Sequence, residues 1–179
     1  MAEKYPTPKL IIRYKGLFDF NGLYNVMVQW MKARRFWFHE DTYKHKVPSP
    51  AGAEQEILWK ADKKVTEFYM QEITIYMHIW DMTEVEVAQK GITKKLTNAR
   101  IEIQIIGAVT IDYEKRWEES TFYIALLDFY RKYIAKEEIE TLYGDQLYYR
   151  MYKLHAAIKE FLDMQAKGNE YAGYLGDNV

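Results

Sequence analysis

The sequence predicts an α+β fold: a bent antiparallel β-meander of about five to seven strands, with one helix after the first strand and two C-terminal helices packed on one face. Three observations predict it. From Glu54 to Tyr113 apolar residues recur with a period of mostly two, as they do in strands with one face in a core and one in water. After Asp19, and again after Ser120, the period changes to that of a helix. The strands are also grouped rather than alternated with helices, which argues against a doubly wound parallel sheet.

The elements follow in order. Lys9 to Tyr14 is short and β-prone, with Leu10, Ile12 and Tyr14 on one side, two prolines before it and Gly16 after it. Asp19 or Asn21 offers an N-cap. Leu23, Val26, Met27, Trp30 and Met31 then form an apolar stripe, closed by Lys32, Arg34 and Arg35 at the end where cations suit the helix dipole. Phe36 to Val47 is β-like and aromatic, and Pro48-Ser49-Pro50-Ala51-Gly52 reads as a loop.

Three longer alternating runs come next. Ile57, Trp59, Ala61 and Val65 alternate in the first, Ile73, Ile75, Met77 and Ile79 in the second, and Ile101, Ile103, Ile105, Gly107, Val109, Ile111 and Tyr113 in the third. Gln89-Lys90-Gly91 predicts a smaller hairpin joining residues 84–88 to 92–96, and Gly107 predicts a bend. Ser120 and Thr121 cap a helix whose stripe is Phe122, Ala125, Leu126, Phe129, Tyr130, Tyr133 and Ile134. A further helical region spans about 136–167, with Leu147, Met151, Leu154, Ile158 and Phe161 as its stripe and an interruption at Gly144. Residues 1–167 read as one domain and 168–179 as a flexible tail in which Tyr171, Tyr174 and Leu175 are candidates for docking on a partner. In order of elements only, this outline resembles the helix-grip fold of small hydrophobic-ligand carriers. It lacks the pair of short helices which that fold places after its first strand.

Composition narrows the function. A net charge of -1 provides no overall positive field for a phosphate backbone. With no cysteine there is no disulfide, thiolate metal site or cysteine nucleophile. The first nine residues have no apolar core and no stretch approaches membrane-spanning length, so the expected location is the cytoplasm. The four histidines, His39, His45, His78 and His155, show no zinc-protease spacing. His39, Asp41 and His45 can share a strand face, an arrangement that solvated edge-strand residues also give. Neither a phosphate-binding glycine motif nor a Gly-x-Ser-x-Gly elbow occurs, no metal or cofactor is expected, and no catalytic residue is assigned.

Three readings follow. The first is a non-enzymatic interaction or structural subunit with protein partners, self or other, consistent with 16 Tyr in 179 residues. The second is a small-ligand or lipid carrier, or an enzyme with a helix-grip-like pocket, lined on the polar sheet face by Tyr76, His78, Glu102 and Gln104. The third is a single-stranded nucleic-acid binder using a basic and aromatic patch of Arg34, Arg35, Trp37, Lys44 and Lys46.

Overall fold

Six antiparallel strands make one sheet in the computed structural model, which describes residues 3–49, 52–89, 92–114, 121–130, 133 and 139–164. The strands are β1 (Glu3–Pro6), β2 (Leu10–Phe18), β3 (Trp37–Ser49), β4 (Gly52–Lys64), β5 (Tyr69–Gln89) and β6 (Ile92–Ile111). Helix α1 (Phe20–Ala33) follows β2; α2 (Thr121–Tyr130), a π-helical segment (Ile139–Gly144) and α3 (Asp145–Phe161) follow the sheet. The predicted α+β class and element order are therefore observed, and the predicted interruption at Gly144 is the change from π- to α-helix.

The sheet order is β1-β6-β5-β4-β3, and β2 also pairs with β6. One edge is thus shared by two strands: β2 pairs with residues 97–105 of β6 and β1 with residues 108–111. Pattern reading misses β1, because it is four residues long and ends in a proline. An edge tolerates that proline, since only one side of the strand is paired. Ser49 pairs with Gly52, so the proline-rich loop is a tight hairpin connection, with the ladder slipping between Lys46 and Ser49.

Strands β5 and β6 are 21 and 20 residues long. The hairpin expected around residues 89–91 is their far end rather than a separate unit. A register shift between Trp80 and Thr83, with Asp81 at φ 55°, separates it from the rest. β4 pairs with β5 only as far as Met82, and β2 with β6 only from Thr97. Beyond those points the two strands run on as a two-stranded arm.

Odd-numbered residues of β4, β5 and β6 face the helices. Ile57, Trp59, Ile75, Met77, Ile103 and Ile105 are completely buried, as are Leu23, Met27 and Met31 of α1 and Leu147, Met151, Leu154 and Ile158 of α3. Each such side chain contributes about 1.5–3 kcal/mol by leaving water. Asp19 is the observed N-cap of α1, accepting from the Gly22 N–H at 2.9 Å. At Gly107 the structure shows a close approach. An added Cβ would lie 2.8 Å from Thr7 Oγ1, 3.0 Å from Leu147 Cδ2 and nearer still to Met151 Sδ. The glycine makes room for α3.

Of the stripe expected on α2, Tyr130 packs against this core, and Phe122 and Ile134 lie outside the described side chains. Leu126, Phe129 and Tyr133 of that stripe are exposed, as are the neighbouring Tyr123 and Ile124. Tyr130 reaches the sheet, with its hydroxyl 2.7 Å from that of Tyr69 and its ring against Phe68. A helical period shows which residues share a face, not whether anything covers it.

Candidate functional site

The even-numbered face of the sheet is the one opposite the helices, and strand register decides what meets there. Lys44 pairs with Glu56, Glu56 with His78, His78 with Glu102 and Glu102 with Arg13, a single row across β3, β4, β5, β6 and β2. In the next row Leu58, Tyr76 and Gln104 are partners. The four predicted ligand-binding residues, Tyr76, His78, Glu102 and Gln104, therefore sit together at the centre of this face. Alternation showed that they share a face, and the pairing of β5 with β6 makes them adjacent.

His78 Nε2 lies 2.6 Å from Glu54 Oε1, and its Nδ1 lies 3.4 Å from the Tyr76 hydroxyl. The imidazole stacks on Trp80 at 3.9 Å between centroids. Arg13 Nε donates to Glu102 Oε2 at 2.7 Å, and Gln104 Nε2 donates to Glu102 Oε1 at 2.6 Å. The hydrogen bond from Arg13, then that from Gln104, hold the Glu102 carboxyl below its ordinary range. Burial, followed by the charges of Glu56, Glu54 and Glu102, pushes the Tyr76 phenol up. Glu54 and His78 form a carboxylate–imidazole couple able to hold or pass a proton.

Glu54, Glu56 and His78 each offer one ligand atom, and these atoms lie within 4.8 Å of one another. Such a set suits a divalent cation in its donor types. Opposing that, Lys44 and Lys46 lie 3.6 and 3.7 Å from the Glu56 carboxylate and already compensate its charge. Sequence reading passed over Glu54 and Glu56. Their i, i+2 spacing on β4 was visible, but the pairing of Glu56 with His78 was not.

Beside this cluster, Arg13, Lys15, Trp80, Arg100 and Glu102 line a cleft of about 360 Å³. The Arg100 guanidinium lies 5.6 Å from the Trp80 ring centre and is bound to Asp81 at 2.7 Å.

The remaining candidates separate. His39 and Asp41 are on the same face as this cluster, Asp41 bound to Lys60 at 2.9 Å. The register shift between Glu40 and Thr42 turns His45 to the other face, where it meets Gln55 at 3.0 Å. A β-bulge inverts the parity of everything beyond it, so the three do not converge. Of the basic and aromatic set, Lys44 and Lys46 pair with Glu56, while Trp37 is exposed near His39. Arg34 instead folds over Trp30, its guanidinium 4.1 Å from the ring centre. Tyr171, Tyr174 and Leu175 lie outside the described residues.

No family model matches this sequence, and no curated protein does. Among solved structures it is similar to an uncharacterized protein from Rhizobium leguminosarum, with 9% identity over 92% of this chain and 99% of that one. The TM-score of 0.23 is too low to inform the site.

Proposed function

We propose that the chain is a non-enzymatic interaction subunit that self-assembles, with α2 as its contact surface. The observation that carries this reading is the exposure of four large apolar or aromatic side chains on α2. All residues of Thr121–Tyr130 except Thr121 and Asp128 are apolar or aromatic, and Tyr123, Ile124, Leu126 and Phe129 are 39–55% exposed. A helix hydrophobic on every side belongs in an interior or against a partner. Tyrosine and phenylalanine are also the residue types that interfaces favour. The absence of cysteine supports a reducing, cytoplasmic setting.

Light scattering after size exclusion tests it. The full chain should elute above its 21.5 kDa monomer mass, and Leu126→Glu with Phe129→Glu should return it to monomer with an unchanged circular dichroism spectrum. A monomer at every concentration would sink the proposal.

A second reading, a small-ligand carrier or enzyme working on the open sheet face, draws on the cleft beside Trp80. Its volume of about 360 Å³ falls in the range of small-molecule sites, which begins near ~300 Å³. The lining favours a flat acidic ligand, with Trp80 as the stacking surface and Lys15 as the cation not already bound to a carboxylate among the described residues. Quenching of tryptophan fluorescence by such ligands, lost in Trp80→Phe, would support it; no quenching by any of them would count against it.

A further inference from the structure

On the helix side of the sheet, three elements bring cations together where no acid meets them. Arg34 and Arg35 follow the last turn of α1, Lys63 closes β4, and Arg150 lies in the second turn of α3. The contacts of Lys63, Arg150 and Arg34 link these elements, and Arg35 is the exposed neighbour of Arg34 in sequence. Lys63 Nζ donates to the Arg34 carbonyl at 2.9 Å. Lys63 is also the cross-strand partner of Gln71, whose buried Oε1 accepts from Arg150 Nη1 at 2.6 Å. Arg34 lies over Trp30 and donates to its carbonyl at 3.4 Å. Among the described residues, none of the four cations has a carboxylate within 4.0 Å. The open face differs, since its Lys44, Lys46, Lys60, Arg13 and Arg100 all meet carboxylates.

Two further observations point the same way. The indole N–H of Trp30, a residue only 7% exposed, is buried with no acceptor. Such orphaned donors cost about 1–3 kcal/mol and are rare in folded proteins. The cations also disturb one another. Burial, then the charges of Arg150 and Arg35, push the Lys63 ammonium below its ordinary range, and burial followed by Arg34 does the same to Arg150. The cluster is thus a surplus of positive charge without a carboxylate partner among the described residues. Surplus of this kind is destabilising unless an anion relieves it, and natural proteins keep such local conflicts at functional sites.

We propose that Arg34, Arg35, Lys63 and Arg150 form a binding site for a small phosphate-type oxyanion, either free or as the phosphoryl group of a small molecule. Guanidinium groups suit its oxygens because they present paired donors in a fixed plane. The ligand is small because the cations converge from three elements at one corner, whereas a polymer needs a track. Lys44, Lys46, Lys60, Arg13 and Arg100 of the open face are already held by acids. None of these residues lies on α2.

Thermal unfolding and isothermal titration of the full chain with inorganic phosphate and pyrophosphate, against sodium chloride at equal ionic strength, test the site. Saturable binding is expected, tighter for pyrophosphate. Arg35→Gln with Lys63→Gln should weaken it at least tenfold, whereas Lys44→Gln with Lys46→Gln should leave it unchanged. Arg35→Gln alone, which breaks no hydrogen bond or ion pair, should weaken binding severalfold and leave the ligand-free melting temperature equal or higher. A merely structural arginine would lower that temperature. A glucose phosphate that binds as tightly as pyrophosphate would identify a phosphoryl group as the natural source. The proposal is overturned by a response no larger than that of chloride, by equal losses in the two double variants, or by binding of single-stranded RNA without any binding of free phosphate.

Discussion

Asp19 shows how much one side chain settles locally. Its Oδ1 caps α1 through Gly22, and its Oδ2 lies 2.8 Å from Lys94 Nζ on the arm. Asp19→Ala should cost about 1 kcal/mol in urea unfolding, whereas Asp19→Asn, which can still cap, should cost clearly less. Equal losses would mean that the ion pair rather than the cap matters. Gly107 gives a second residue-level expectation. Gly107→Ala should destabilise by about 1–3 kcal/mol through overpacking. Because the new methyl meets Met151 and Leu147, Gly107→Ala and Met151→Ala should be non-additive, with the second costing less once the first is present. Additive losses would show that α3 moves aside freely.

At the scale of elements, legibility in the sequence followed locality. The parity of Ile73–Ile79 and Ile101–Ile111, the stripe of α1 and the stripe of α3 were all readable, because each depends on the chain's own period. Register was not. The meeting of Glu54 with His78, the turning of His45 by a bulge and the far-apart origins of Lys63, Arg150 and Arg34 depend on which strand or helix lies alongside. No single-chain period encodes that. β1 escaped because four residues ending in proline carry too little pattern, and the room that Gly107 leaves for Met151 and Leu147 is encoded in no local period. The candidate site was half visible: Tyr76, His78, Glu102 and Gln104 were on one face, but Glu54 and Glu56 were not foreseen beside them. The arm supplies a dynamic expectation. Two strands without a third neighbour are marginally stable, so amides of residues 84–88 and 94–96 should exchange with deuterium much faster than those of 73–79. Equal protection would mean that something covers the arm.

Over the whole molecule, acid should act in two stages. Burial, then the charge of Lys159, hold the His155 imidazole below its ordinary value of 6.5, so the folded chain resists a proton that the unfolded chain accepts. Stability is therefore full above 6.5 and declines as pH falls beneath it. The Lys94 hydrogen bond, then the Gly22 N–H, hold the Asp19 carboxyl below its ordinary 3.8, and Arg13 with Gln104 hold Glu102 below 4.5. Their contributions are present above those values and are lost as pH falls through the lower folded-state ones. Urea midpoints against pH should show both declines, and His155→Gln should flatten the upper one. An unchanged upper slope in that variant would remove His155 from the account.

Strand β3 forms the free margin of the sheet, and its irregularities make it a poor template for growth. The bulge at Asp41 spoils its flatness, the slip before Ser49 spoils its spacing, and Lys44 and Lys46 place charge along it. Each of these features discourages a neighbouring chain from adding a strand. The opposite margin is divided between β1 and β2, with neither strand offering an unbroken length. With both margins of the main sheet blunted, growth by adding strands there is disfavoured, and association is expected through side-chain surfaces rather than by extending the ladder.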